Sequence, residues 1–279
     1  RSRKPLTVLR LRRSRRQEYS KLTSEDLLTI ITGIMSSNNN RVLIIFFILI
    51  LTMTSGLPSC VPLKTGISKI PQPASQQTDN STYSYKDNPK YAERISHFFV
   101  YRKQADIVML GNSITARADW SELLDRNDIV NRGIDSDVTE GYLNRMESIY
   151  SVCPKICFIM GGVNDIARKI PLESTVGNIV QICTHLKEHQ IIPVMQSVLY
   201  VADSYPEYET MNASIHRTNL ELERVAKVNG IRYVDLNRYL SSEKVLKKEF
   251  VLFDGIHLNG AGYAKWGTIL SGILADYGL

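Results

Sequence analysis

The chain has 279 residues, 43% of them hydrophobic and 8% aromatic. That is enough for one large domain with a sizeable core, and it excludes disorder throughout. The formal charge of +6 belongs to the leader, because residues 1–41 carry ten Lys and Arg against three Asp and Glu and the remainder is close to neutral. A near-neutral body presents no phosphate-binding face, so nucleic acid is not an expected partner.

Residues 1–34 are rich in Arg and begin without a methionine, whereas Met35 lies a short polar segment ahead of an apolar run. Translation is expected to start at Met35, which makes 1–34 a non-native or mis-assigned extension. The run Val42 to Met53 is 12 residues long and ends in the small, polar Thr54-Ser55-Gly56. It has the length of a signal-peptide core and is short of the about 20 residues of a membrane span. Leu57-Pro58-Ser59-Cys60 resembles a bacterial lipobox, with Pro58 an unusual occupant. That implies lipidation at Cys60, a membrane anchor, and a place in the bacterial periplasm or cell envelope; ordinary signal-peptidase cleavage is the alternative. Residues 61–88, rich in Ser, Thr, Gln, Asn and Pro, read as a flexible tether with short stiff pieces.

From residue 89 to 279 short apolar runs alternate with segments of helical period. Strands are expected at Asp106 to Leu110, Ile129 to Asn131, Lys155 to Met160, Ile191 to Leu199 and Ile231 to Leu236. The clearest of these are nearly continuous in apolar residues, as parallel strands covered on both faces are. Helices are expected at Thr139 to Tyr150, Glu173 to His189, Tyr208 to Val228 and Ala261 to Ala275. This alternation argues for a doubly wound α/β domain with a mostly parallel five-stranded sheet, whose ligand site lies beyond the strands' C-terminal ends.

The candidate residues sit at those ends. Gly111-Asn112-Ser113-Ile114-Thr115 puts a hydroxyl on a turn into a helix, where a nucleophile gains exposure, although a helix cap is the simpler role for such a serine. Gly133 and Asn164 follow two further strands; each reads as a turn residue, or as an oxyanion donor through a backbone N–H or a side-chain amide. In Asp254-Gly255-Ile256-His257 a carboxylate three residues before an imidazole can fix the ring's tautomer and leave its other nitrogen to take a proton. The other four histidines, His97, His185, His189 and His216, read as helical, the last three within the helices named above.

The four cysteines, Cys60, Cys153, Cys157 and Cys183, are too irregular for a disulfide scaffold, and three of them are expected to pack as small apolar residues. Cys153 and Cys157 have no second Cys/His pair at ligand spacing, so no metal is expected. With no Gly-rich phosphate loop either, no cofactor is expected.

Taken in order, Ser113, Gly133, Asn164 and His257 resemble the four markers of the SGNH (GDSL-like) hydrolase superfamily over about residues 105–275. The resemblance implies a flavodoxin-like three-layer sandwich and a serine ester hydrolase. Ser113 would be the nucleophile, His257 the base, Asp254 its orienting partner, and Ser113, Gly133 and Asn164 the oxyanion hole. Two departures stand out: Asn112 occupies the place where the commonest form has Asp, and the second block lacks another nearby glycine. Asn before the serine is similar to the lysophospholipase and acetylhydrolase-like branch. The implied substrate is a small acyl ester, above all an O-acetyl group on a glycan. Open alternatives are a lipid or aryl esterase, an acyltransferase with the same triad, and a non-catalytic glycan-binding module. A classical α/β-hydrolase would require Gly-x-Ser-x-Gly, and Thr115 occupies the last place. Arg117, Arg132 and Tyr142 are candidates for the pocket's neighbourhood, although surface or packing roles are the simpler expectation.

Overall fold

The computed structural model describes residues 83–279, which lie in the second of two compact units, Pro62–Leu279. The readings of the extension, the signal core, Cys60 and the tether as far as residue 82 fall outside the described residues. Residues 83–88 are part of the folded body. A 3₁₀ turn, Tyr85–Asp87, is capped by Ser84, and Asn88 then caps helix α1 (Pro89–Val100) while its Nδ2 donates to Asp135 O at 2.7 Å.

After α1 come β1 (Ile107–Gly111), the short helices α2 (Ser113–Ala116) and α3 (Trp120–Leu123), and β2 (Ile129–Gly133). Two more short helices, α4 (Thr139–Leu143) and α5 (Glu147–Tyr150), lead to β3 (Ile156–Met160). Next are α6 (Val163–Ala167), α7 (Leu172–Glu188), β4 (Ile192–Gln196), α8 (Tyr208–Val228) and β5 (Arg232–Val234). The chain ends with α9 (Asn237–Leu240), the hairpin β6 (Ser241–Ser242) and β7 (Val245–Leu246), and α10 (Gly260–Asp276).

The first five strands pair in parallel in the order β2-β1-β3-β4-β5. The steps from β2 to β3, β3 to β4 and β4 to β5 all run one way across the sheet. Right-handed crossovers therefore put α4, α7 and α8 on one face, where α7 packs on both of the others. The step from β1 to β2 runs the opposite way and puts α2 and α3 on the other face, where α10 packs on α3. The expected doubly wound architecture is thus present, and its direction reverses between β1 and β3, where such sheets open a crevice. Every residue of β1 and β3 is buried, as their uninterrupted apolar sequence requires.

Two expected elements differ, each for a physical reason. The helix expected from Thr139 to Tyr150 breaks into α4 and α5 because Arg145 turns inward. Its guanidinium donates to Asp137 Oδ2 at 3.0 Å, Arg132 O at 2.7 Å and Gly111 O at 3.0 Å. The strand expected from Ile191 to Leu199 leaves the ladder after Gln196. Beyond it the N–H groups of Val198, Tyr200 and Val201 donate to the side-chain oxygens of Asn219, Asn237 and Asn212, each at 2.8 or 2.9 Å. The segment stays buried without a strand partner because three asparagines take that role.

Cys157 and Cys183 pack in the core as expected, and burial pushes both thiols up, that of Cys183 to about 12. Cys153 does not pack this way: it is half-buried, with a φ of 51°.

Candidate active site

β1 delivers Ser113 at the first position of α2, immediately beyond the sheet. Asn112 is buried and caps that helix, its Oδ1 accepting from Ile114 N at 3.0 Å. The Ser113 N–H therefore belongs to the helix's first turn, where no intrahelical acceptor exists. The Asn112 Nδ2 has no partner among the described residues.

The loop before α10 brings up the imidazole. Val251 bridges antiparallel to Leu258, and Leu252 N donates to His257 O at 2.8 Å. Gly255 sits at the loop's tip with a φ of +75°, and a Cβ there would lie 2.7 Å from Tyr205 N. Both the backbone conformation and the close approach call for glycine. Its carbonyl accepts from Ala202 N at 2.7 Å, which ties the loop to the segment after β4.

Within that loop Asp254 Oδ1 accepts from the N–H groups of Ile256 and His257, at 3.1 and 3.0 Å. Its Oδ2 lies 2.7 Å from His257 Nδ1, and His257 Nε2 lies 2.8 Å from Ser113 Oγ. An ionised carboxylate only accepts, so Nδ1 carries the proton and Nε2 is left to accept from the serine hydroxyl. The structure thus brings Ser113, His257 and Asp254 into one hydrogen-bonded line across 144 residues of sequence.

Burial opposes ionisation of Asp254, but the hydrogen bonds from His257 and Ile256 outweigh it and hold the carboxyl below its ordinary value of 3.8. The sign follows directly: Asp254 stays charged above that range and loses its favourable contacts only as pH falls through its depressed pKa. Above about pH 4 Asp254 should therefore add no ionisation of its own to the acid limb of log kcat/KM against pH. An ionisation of Asp254 at or above about pH 4, the ordinary carboxylate range, would contradict the assignment.

Asn164, in the first turn of α6, is half-buried. Its Nδ2 donates one hydrogen to Asp137 O at 2.8 Å, and the second has no acceptor among the described residues. Gly133 is used otherwise than expected: its N–H donates to Asn131 Oδ1 at 2.8 Å. Its glycine identity follows from packing, since a Cβ would stand 2.3 Å from Ala116 N. In the same loop Ile134 N is spent on Gly111 O and Asp137 N on Ile134 O. Asp135 and Ser136, the latter at a φ of 60°, keep N–H groups with no acceptor among the described residues.

Sequence reasoning missed the supports around these groups. Asp137 and Arg145 form a buried pair, both side chains 0% exposed. Burial pushes the Asp137 carboxyl up to about 6 against the opposing pull of Arg145. Asp165, beside Asn164, is likewise pushed up to about 6 by burial, with Thr139 donating to it from both N–H and hydroxyl. No spacing announces these contacts, and that of Asp165 with Thr139 joins the ends of β3 and β2. Of the three further candidates, Arg132 and Tyr142 are buried packing residues. Arg117 is 45% exposed, and its Nη1 lies 3.8 Å from Asp254 Oδ2.

The description GDSL-like lipase/acylhydrolase family matches residues 109–265, more than half of the chain and inclusive of every residue just placed. The chain belongs to the GDSL-like lipase/acylhydrolase family. Solved structures share this fold at low identity. A GDSL-like lipase from Bacteroides thetaiotaomicron is 23% identical, with a TM-score of 0.59 over 70% of this chain and 100% of that one. A lipase/acylhydrolase from Enterococcus faecalis is 19% identical, with a TM-score of 0.54 over 62% and 97%. A catalytic mutant of an acetylxylan esterase from Geobacillus stearothermophilus is 17% identical, with a TM-score of 0.50 over 60% and 93%. No curated protein matches the chain. Membership of the GDSL-like family carries hydrolysis of acyl esters as the class of activity.

Proposed function

We propose that this GDSL-like chain is a serine esterase that removes short acyl groups, foremost O-acetyl groups from carbohydrate. The observation that carries the reading is the Asp254–His257–Ser113 line, with separations of 2.7 and 2.8 Å. Ser113 Oγ attacks the ester carbonyl as its proton passes to His257 Nε2. The tetrahedral intermediate collapses to the acyl-enzyme, and the same proton leaves with the alcohol. Water then repeats the sequence, delivering a proton to the imidazole and releasing the acid and free Ser113. Asp254 remains ionised and stabilises the imidazolium in both halves.

The oxyanion is met by Ser113 N–H, by the second Nδ2 hydrogen of Asn164, and by the N–H groups of Asp135 and Ser136 in place of Gly133. Losing one such donor removes about 3 kcal/mol of transition-state stabilisation, so Asn164→Ala should lower kcat roughly 10²- to 10³-fold in a folded protein. Steady-state kinetics beside a melting curve checks this, and unchanged turnover would contradict the role.

An acetyl-carbohydrate substrate is supported by the presence of an acetylxylan esterase on the same fold and by the expected passage of the chain to the bacterial envelope. Loss of fatty-acid labelling in Cys60→Ala would support the lipid anchor, and equal labelling of both chains would remove it. One observation favours a second reading, a lysophospholipase or other lipid or aryl esterase. Phe253, 96% exposed, and Leu252 precede Asp254 directly and offer an apolar edge beside the triad. A panel of acetylated oligosaccharides, aryl acetates and fatty acyl lysophospholipids decides between them. Acetyl sugars should give the highest kcat/KM, and a preference for long acyl chains would transfer the assignment to the second reading.

A further inference from the structure

We propose that Tyr263 is a positioning residue for the Ser113 nucleophile, an inference that rests on the esterase reading above. A helix as short as α2 leaves the carbonyls of Ile114, Thr115 and Ala116 without intrahelical partners. Other elements supply their donors. Asn131 Nδ2 reaches Thr115 O at 3.0 Å, Ala116 O at 3.1 Å and Ala118 O at 3.0 Å, and Trp120 Nε1 donates to Thr115 O at 2.9 Å. Ile114 O, next to the nucleophile, accepts from the Tyr263 hydroxyl at 2.7 Å.

Tyr263 differs from the other donors in its origin. It stands one turn into α10, the helix that the His257 loop enters directly, and the intervening Asn259 caps α10 through Gly262 N while its Nδ2 donates to Glu249 O at 2.9 Å. The Tyr263–Ile114 bond therefore ties together the same two segments, remote in sequence, that must meet as His257 and Ser113. The phenol has little room to swing. Its ring lies 6.3 Å from that of Trp266 at 12° and 6.3 Å from that of Trp120 at 89°. Trp266 is itself fixed by a 2.8 Å bond from its Nε1 to Gln196 Oε1. Burial raises the phenol's pKa well above its ordinary value, so it remains a donor wherever the enzyme works.

Without the hydroxyl, α2 loses its tether to α10, and the separation of Oγ from Nε2 is free to lengthen. That displacement affects the chemical step and leaves substrate binding alone. The test is Tyr263→Phe, with every rate divided by the number of active sites titrated so that unfolded molecules do not count. Two rates are read: kcat on an aryl acetate and the phosphonylation of Ser113 by a fluorophosphonate. Both should fall about tenfold, inside the 10²-fold that a misplacement of about 1 Å can cost, with KM changed by less than about twofold. If the variant melts near the assay temperature, both rates are taken in the cold. Rates within about twofold of native would overturn the proposal, as would a raised KM with both rates intact. A native chain that takes no label at Ser113 would instead show that the esterase reading itself had failed, and the role of Tyr263 with it.

Discussion

Replacing Ser113 with alanine is expected to lower kcat on a short-chain ester by about 10⁶-fold while the protein remains folded, the scale seen when a triad nucleophile is removed. The described hydrogen bonds give Ser113 Oγ His257 Nε2 as its partner, so its loss strands no buried backbone group. Alanine is also well suited to the first turn of a helix, and the cap from Asn112 to Ile114 does not involve the serine side chain. Residual activity would come from the oxyanion donors alone, which accelerate the reaction about 10³- to 10⁴-fold over water. The check is kcat by a sensitive product assay together with a melting curve. A loss smaller than about 10²-fold with the fold intact would show that another group performs the attack.

Asp254→Asn should cost about 10⁴-fold in kcat with little change in KM, because it reverses the proton's position on the ring. An asparagine can still accept from the N–H groups of Ile256 and His257 and so preserve the loop. Its amide, however, would present a hydrogen to Nδ1 where the carboxylate accepted one. The ring then carries its proton on Nε2, the atom that must receive the serine's. The half-exposed contact with Arg117 at 3.8 Å is also lost, but a pair so open to water contributes little. Parallel measurement of kcat, KM and thermal stability separates the two effects: a variant that unfolds, or one that keeps native turnover, would contradict an orienting role.

The sequence disclosed those elements whose burial is uniform. β1 and β3 are covered on both faces, so their apolar runs are unbroken, and Tyr208–Val228 keeps one helical period from end to end. What it concealed is governed by single polar side chains acting over distance. Nothing in the period of Thr139 to Tyr150 shows that Arg145 will turn inward to Asp137 and split the helix. Nothing in Ile191 to Leu199 shows that three asparagines will replace a neighbouring strand. At the candidate site, the placing of Ser113 and Asn164 just beyond strands, and of Asp254 and His257 in a turn, was legible from the apolar runs and turn residues around them. Gly133 was misleading for a related reason. Glycine fits both a donor close to a ligand and a strand end lying against a helix, and only the approach of Ala116 and the bond to Asn131 distinguish them. Tyr263 left no signal, because its partner is a backbone carbonyl.

The architecture also explains how so remote a pair meets reliably. Ser113 follows a fully buried central strand, and the His257 loop is held from three sides: by its own antiparallel bridge, by Ala202 after β4, and by α10 behind it. Rigid elements therefore set the geometry of the line, which favours reaction from a ground state already close to the required arrangement.

The most direct test of the account is to treat the native chain with a fluorophosphonate and locate the adduct by peptide mass spectrometry. One adduct per chain is expected, on Ser113, with labelling strongly slowed in His257→Ala. An adduct on another residue, or a folded chain that takes none, would contradict the claim that Ser113 is an activated nucleophile.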